Sequence, residues 1–549
     1  MTVGANRKSK MLLALMALAI VGALFVVLAV AKPTLAQTSD QELRVTKPGS
    51  GTSGPLSAAQ KQAISQQGYL VPDQGAYDKA KAEAANKTGQ QSSSESLSKA
   101  PAAKAPAAFR SWPGIRDTSS GPSDSVGAIG PTRYVELVNS KFAIYSRTDN
   151  TPMSQGSINT LVGESGALAS VFDPQVIWDP TTSRFYYAAD DVISATDNRL
   201  AFGFSTTASP SSAADWCKYT IQFGSNFPDY PKLGDSSNLL LLGTNTFSAA
   251  STFLGSDLYS VTKPPAGSTC PDISSFTVGS RQGLTNADGS GAFTPVPTNQ
   301  IDSSGSGWVV AIPQSLPANY LSLYQVTRNT DGTMNLGTAR NVTVPTYDVP
   351  ANAPQPGTTN RLDALDARNT QAVSAIDPSR GTSGATAIWT QHTVFGGSGA
   401  VVRWYEISPA APSLFQSGTV AGASGRYIFN GAISPDRKVR STATKFSNSM
   451  VLGFNSSSTT QRPDIRTVSK IGANPVSGQV LIKSSPASLN DFTCTSNLCR
   501  WGDYAAASPD PATPLTATHG RVWLTNQWVA NSGSNSAAGW GSWNWATMP

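Results

Sequence analysis

Seven times along this chain a short apolar strand enters a tight turn carrying Asp, Gly or Pro and is followed by a second apolar strand. The seven are Val126-Gly-Ala-Ile-Gly-Pro-Thr-Arg-Tyr-Val, Val176-Ile-Trp-Asp-Pro with Phe185-Tyr-Tyr, Lys232-Leu-Gly-Asp with Leu239-Leu-Leu-Leu, and Ile301-Asp with Trp308-Val-Val-Ala-Ile, followed by Val373-Ser-Ala-Ile-Asp-Pro with Ala387-Ile-Trp, Ala432-Ile-Ser-Pro-Asp with Val439, and Ala505-Ala-Ala-Ser-Pro-Asp-Pro with Val522-Trp-Leu. The turns fall near 130, 179, 235, 302, 377, 436 and 510, so successive gaps are 49, 56, 67, 75, 59 and 74 residues. That spacing suits one four-stranded blade with loops of variable length. From about Ser111 onward no stretch keeps helical periodicity for three turns, whereas many alternate or run briefly apolar. The expectation is an all-β fold, a β-propeller of seven blades with six or eight as alternatives, over residues 111–549; a pair of β-sandwiches is the rival. The aromatic tail Trp540-Gly-Ser-Trp543-Asn-Trp545 reads as a closing strand paired with the first blade, hiding both sheet edges.

The N-terminal part differs. Arg7, Lys8 and Lys10 precede an apolar run from Met11 to Ala31, the pattern of an export signal. Thr34-Leu35-Ala36 offers small residues for cleavage before Gln37, but the run is long enough to span a bilayer, so an uncleaved membrane anchor is favoured over a removed signal for residues 1–36. Residues 37–110, rich in Ala, Ser, Gln, Lys and Pro, lack clustered large apolar side chains and read as a disordered linker with short helices around Ala58–Gln67 and Ala76–Asn86.

The formal charge of +6 is concentrated before the β region. Residues 1–36 carry four positive charges and residues 37–110 a further net +3, leaving residues 111–549 at about −1. Such a domain lacks the basic field that drives phosphate binding, so nucleic acid is not an expected partner. The four cysteines, in an exported chain, read as two disulfides, Cys217–Cys270 and Cys494–Cys499; with only His392 and His519 available, a zinc site lacks ligands.

Several phrases are similar to a widespread group of exported bacterial proteins described as propeller-like or cell-surface proteins. They are Val126 to Tyr145, Phe227-Pro-Asp-Tyr-Pro-Lys-Leu-Gly, Gln355-Pro-Gly with Arg361-Leu-Asp-Ala-Leu, Val402-Arg-Trp-Tyr-Glu and Arg500-Trp-Gly-Asp-Tyr. The resemblance spans roughly residues 120–545 and implies a propeller fold and export. It carries no reaction or ligand.

Six or seven residues before six of the seven turns stands a polar residue: Asp124, Asp173, Asp229, Gln371, Asn430 and Asp503; the fourth unit offers only Asn299, three residues before its turn. On the innermost strands of a propeller these form a ring at one channel mouth. Carboxylates and amides there, with Tyr230, Trp501 and Tyr504 nearby, suit a hard cation such as Ca2+ (Asp124, Asp173, Asp229 and Asp503) or the hydroxyls of a sugar. The competing reading is that Asp and Asn at such places bond their own turns. The pairs Arg361–Asp363 and Arg500–Asp503 read as loop-fixing salt bridges. The functional expectation is an extracytoplasmic binding or adhesion module for a glycan or protein. The alternative is a sialidase-like, carbohydrate-active hydrolase using acids at the channel mouth. Against it, the β region holds only three glutamates, Glu136, Glu164 and Glu406, and Tyr405 and Glu406, adjacent on a strand, point to opposite faces. No Gly-x-Ser-x-Gly elbow accompanies either histidine.

Overall fold

The computed structural model describes residues 43–49, 70–88, 105–117, 119–164, 170–436, 447–514, 517, 519–531 and 539–549. They form a seven-bladed β-propeller. The first strands of the blades are Val126–Ile129, Ser170–Asp179, Phe227–Asp235, Ala292–Pro297, Asn369–Asp377, Tyr427–Pro435 and Ala506–Pro509. Each packs against the first strand of the next blade, and the seventh returns to the first. They are therefore the inner ring. All seven turns read from the sequence fall between the first and second strands of these blades. In the sixth blade the second strand is Ser449–Ser457; Val439, read as its start, lies outside the described residues.

Blade faces stack on blade faces, so the inner strands are apolar on both sides rather than alternating. Leu239–Phe247 is buried throughout. Every interface has its own apolar cluster: Leu239, Leu241 and Leu258 meet Val309, Ala311 and Tyr324 between the third and fourth blades, and Trp389 and Trp404 meet Ile433 and Leu452 between the fifth and sixth. The turn aspartates also bridge blades. Lys263 Nζ lies 2.8 Å from Asp179 and 2.7 Å from Asp235, Arg147 lies 2.6 Å from Asp510, and Asp436 accepts from the Gly520 N–H at 3.1 Å. Asp recurs in the turns because a carboxylate there reaches the neighbouring blade as well as its own backbone.

Ring closure differs from the expectation. The tail strand Trp540–Met548 does not pair with the first blade. It lies inside the seventh, between Val522–Val529 and Ala107–Pro113, which is supplied by the chain ahead of the first blade. The propeller thus begins at residue 107, before the expected 111. Trp112 on this strand is buried and meets Tyr134, Tyr145 and Trp523 edge-on, with ring centroids 5.5–5.8 Å apart.

Two pieces of the expected linker are also built onto the propeller. Val45–Thr46 extends the second blade by pairing with Thr220 and Ile221. The helix Gln74–Lys87, capped by Asp73, is held by Lys81, whose Nζ donates to Pro350 O at 3.0 Å, to Asn352 Oδ1 at 2.9 Å and to Leu365 O. Sequence reading missed the docking because the helix buries only Ala84; lysines, Lys81 and Lys87 (3.5 Å from Asp348), and not an apolar stripe, anchor it. The helix expected around Ala58–Gln67 and the apolar run Met11–Ala31 lie outside the described residues. Among those described, no helix is long and apolar enough to cross a membrane.

Both disulfides are present, Cys217–Cys270 and Cys494–Cys499, as suits an oxidising, extracytoplasmic environment.

Candidate functional site

The shared offset of the ring residues has a backbone cause. The inner strands of the second to sixth blades carry a β-bulge inside their ladder with the second strand. Asp173, Tyr230, Thr294 and Asn430 sit at or beside these positions with φ of 48–58°, and Asp124, just ahead of the first blade's first strand, has φ 43°. Asp and Asn tolerate the left-handed region better than other non-glycine residues. The fourth blade's equivalent is therefore Thr294, followed by Pro295 as Asp173 and Tyr230 are followed by Pro174 and Pro231. Asn299 is elsewhere: it pairs in parallel with Val373 of the fifth blade, and its amide donates to Asp235 Oδ1 at 3.3 Å.

Bulged backbone turns these side chains towards the axis, where residues of non-adjacent blades touch. Tyr230 of the third blade stacks on Tyr504 at the seventh, centroids 4.8 Å apart, and its hydroxyl donates to Asp503 O at 3.1 Å. Lys232 Nζ lies 3.6 Å from the Tyr504 centroid and 4.0 Å from that of Tyr230. Arg368, leading into the fifth blade, lies 4.4 Å over the other part of this cluster, the Tyr230 ring. Asp124 accepts from the Asp503 N–H at 2.5 Å and from the Asn139 amide; Asp173 accepts from the Tyr504 hydroxyl at 2.7 Å; Asp503 accepts from Arg500 at 2.7 Å. The four ring aspartates thus share one end of the axis, with lysine and arginine side chains among them.

The remaining ring residues are engaged separately. Gln371 exchanges hydrogen bonds with the Ala507 backbone, at 2.7 and 3.1 Å. Asn430 donates to Asn455 and Asn526, and Trp501 Nε1 donates to Asn455 Oδ1 at 2.9 Å. The Arg500–Asp503 pair forms as expected; Arg361 instead donates to Asn352 O at 3.0 Å.

This end of the axis is roofed over. Arg361–Leu362 pairs with Leu498–Cys499 across it, next to the Cys494–Cys499 bridge, and Arg368 donates to Leu70 O at 3.2 Å. Asp124, Tyr230, Trp501 and Tyr504 are each 1% exposed. Removal from water therefore dominates the electrostatics. Burial, reinforced by Asp503 and Asp173, holds Asp124 well above the usual carboxylate range. Burial raises Asp229 to about 8, with Asp173 adding to the effect, and Asp503 to about 6. Burial likewise drives Lys232 well below the ordinary lysine value. Beside this plug lies a small void of about 30 Å³ lined by the inner strands, including Gln175, Val296 and Gln371, with Lys232 at its wall.

One carboxylate of the cluster escaped the sequence reading. Asp190 is fully buried on the second strand of the second blade, and its ligand oxygen lies within 4.8 Å of those of Asp173 and Asp229. The signal was present as Asp190-Asp191, two acids inside the otherwise apolar run Arg184–Ser194.

The glutamates and His392 are spent inside the fold, while His519 is half-buried with Nδ1 3.6 Å from Asp436. Glu136 accepts from Tyr145 and Asn544, Glu164 from the Gly49 N–H, and Glu406 from Gln416. Tyr405 points away from Glu406 and bonds His392 at 2.8 Å; the other ring nitrogen of His392 lies 2.9 Å from Ala367 O. Burial raises Glu406 to about 8, ahead of smaller contributions from Asp377. In the unfolded chain it ionises near 4.5, so between pH 4.5 and 8 the folded state holds the extra proton and stability falls as pH rises. Glu406→Gln is expected to remove that slope and to be more stable than the parent at pH 8, by roughly 1–2 kcal/mol. Urea midpoints at pH 5 and pH 8 test this; an equal change at both would count against it.

No protein-family model matches this chain, and no curated protein matches it by sequence. Solved structures similar to it include a Synechocystis apocarotenoid oxygenase variant (9% identity, 67% of this chain and 73% of that one, TM-score 0.37). Others are the subtype N11 neuraminidase-like protein of A/flat-faced bat/Peru (7%, 80% and 97%, 0.34) and Drosophila Plexin A in complex with Semaphorin 1b (9%, 78% and 86%, 0.35). At these values the likeness concerns fold alone.

Proposed function

We propose that this chain is an extracytoplasmic binding or adhesion module, exported by its N-terminal segment and belonging to the cell-surface propeller group its phrases resemble. It takes a polar ligand, glycan or protein, on an outer propeller face. The observation that carries this reading is the burial of the axial acids: Asp124, Asp229 and Asp503 are at most 9% exposed, behind a stack of tyrosines and a roof of loops. Acid pairs that hydrolyse a glycoside must reach the substrate and a water molecule; these reach neither. Two disulfides and a strand-closed ring give a rigid frame on which surface loops can present a recognition face.

The test is a binding screen of the chain freed of residues 1–36 against a glycan array and a panel of secreted proteins, with chromatography of the glycans afterwards. Concentration-dependent retention without product is expected. Shortened glycans would replace this reading with the hydrolase one, and recovery of the native chain from the cytoplasm with free thiols would remove the export.

A further inference from the structure

Asp190 is the least reconciled polar group of the axial cluster. It is 0% exposed, and neither of its carboxylate oxygens has a hydrogen-bond partner. Asp229 Oδ2 is likewise buried without a donor. The charged groups that act on Asp190 are Asp173, Asp229 and Asp191, all acids. Lys232, Arg368 and Arg500 stand nearer the axis, where they act on Asp173, Asp229 and Asp503. A buried carboxylate facing two others, with no donor and no counter-charge of its own, lacks what such groups need.

The geometry suits an ion. One oxygen from each of Asp173, Asp190 and Asp229 lies within 4.8 Å of the other two. Ligands at about 2.4 Å from a common Ca2+ stand at most about 4.8 Å apart. All three are hard oxygen donors, which select Ca2+ over thiolate- or imidazole-seeking metals. Beside the acids the bulges at Phe172/Gln175 and Asp229/Lys232 interrupt the ladder, so the local backbone is not wholly committed to strand pairing.

We propose that Asp173, Asp190 and Asp229 hold a buried Ca2+ that ties the second blade to the third. The ion supplies the counter-charge Asp190 lacks, with Asp173 shared between it and the Tyr504 hydroxyl. The site is independent of which outer face binds a ligand, and it differs from the set of ring aspartates expected from sequence: Asp124 and Asp503 are committed to Asn139 and Arg500.

The test uses the whole chain, stripped with EDTA and titrated with CaCl2 by calorimetry, with thermal midpoints taken in excess CaCl2 and in EDTA. One Ca2+ per chain is expected, with EDTA lowering the midpoint. Asp190→Asn and Asp229→Asn should each weaken binding about 100-fold or more and make the midpoint insensitive to EDTA, while Asp331→Asn, in an exposed turn, changes neither. Absence of any calcium heat and any EDTA effect on the folded parent chain overturns the proposal without need of a variant. So does an Asp190→Asn protein that binds as tightly as the parent, or one more stable than the parent in both media, the signature of carboxyls sharing protons.

Discussion

Trp112→Ala is expected to destabilise the propeller by about 3–5 kcal/mol, the usual cost of emptying a buried tryptophan site. Trp112 is the largest side chain the closing strand places between the seventh and first blades, where it touches Tyr134, Tyr145 and Trp523. Truncation would leave a cavity walled by rings that cannot collapse, because both blades are pinned by their own ladders. Phe109, on the same strand and 48% exposed, is the control: Phe109→Ala should cost well under 1 kcal/mol. Urea unfolding of the two variants measures the difference, and similar small losses in both would show that this strand does not carry the closure.

The Cys217–Cys270 bridge comes second. Its partners are 53 residues apart, against 5 for Cys494–Cys499. If cross-links act by restricting the unfolded chain, the long loop contributes about 4 kcal/mol and the short one about 2. Cys217→Ala/Cys270→Ala is therefore expected to lose about twice the stability lost by Cys494→Ala/Cys499→Ala. Equal losses would mean that the short bridge, which staples the roof over the axis, acts on the folded state instead.

The blades were legible because their first hairpins are the most buried parts of the molecule, and burial on both faces writes continuous apolar runs such as Leu239-Leu-Leu-Leu. The outer strands are half solvated; Ser413–Val420 and Val480–Ser484 show little pattern. Strands exchanged between distant parts of the chain, Ala107–Pro113 and Asn299–Gln300, could not be placed by reading locally. The ring of polar residues was found through its constant offset, which reflects bulges in the left-handed region as much as chemistry. Asp190 lies on a second strand, outside that offset, and was missed for that reason. Its anomaly was of another kind, a pair of acids set in an otherwise apolar strand.

Ring closure also sets an order of events. Ala107 pairs with Met548 and Pro113 with Trp543, so one of the earliest segments of the domain to leave the ribosome waits for one of the last. Until then the nascent chain carries an unpaired strand bearing Phe109 and Trp112, with the first blade's flank uncovered. Blades can form one by one during synthesis, but the ring cannot. A chain stopped short of its last few residues retains every blade's inner hairpin and still lacks the seam that makes them one body.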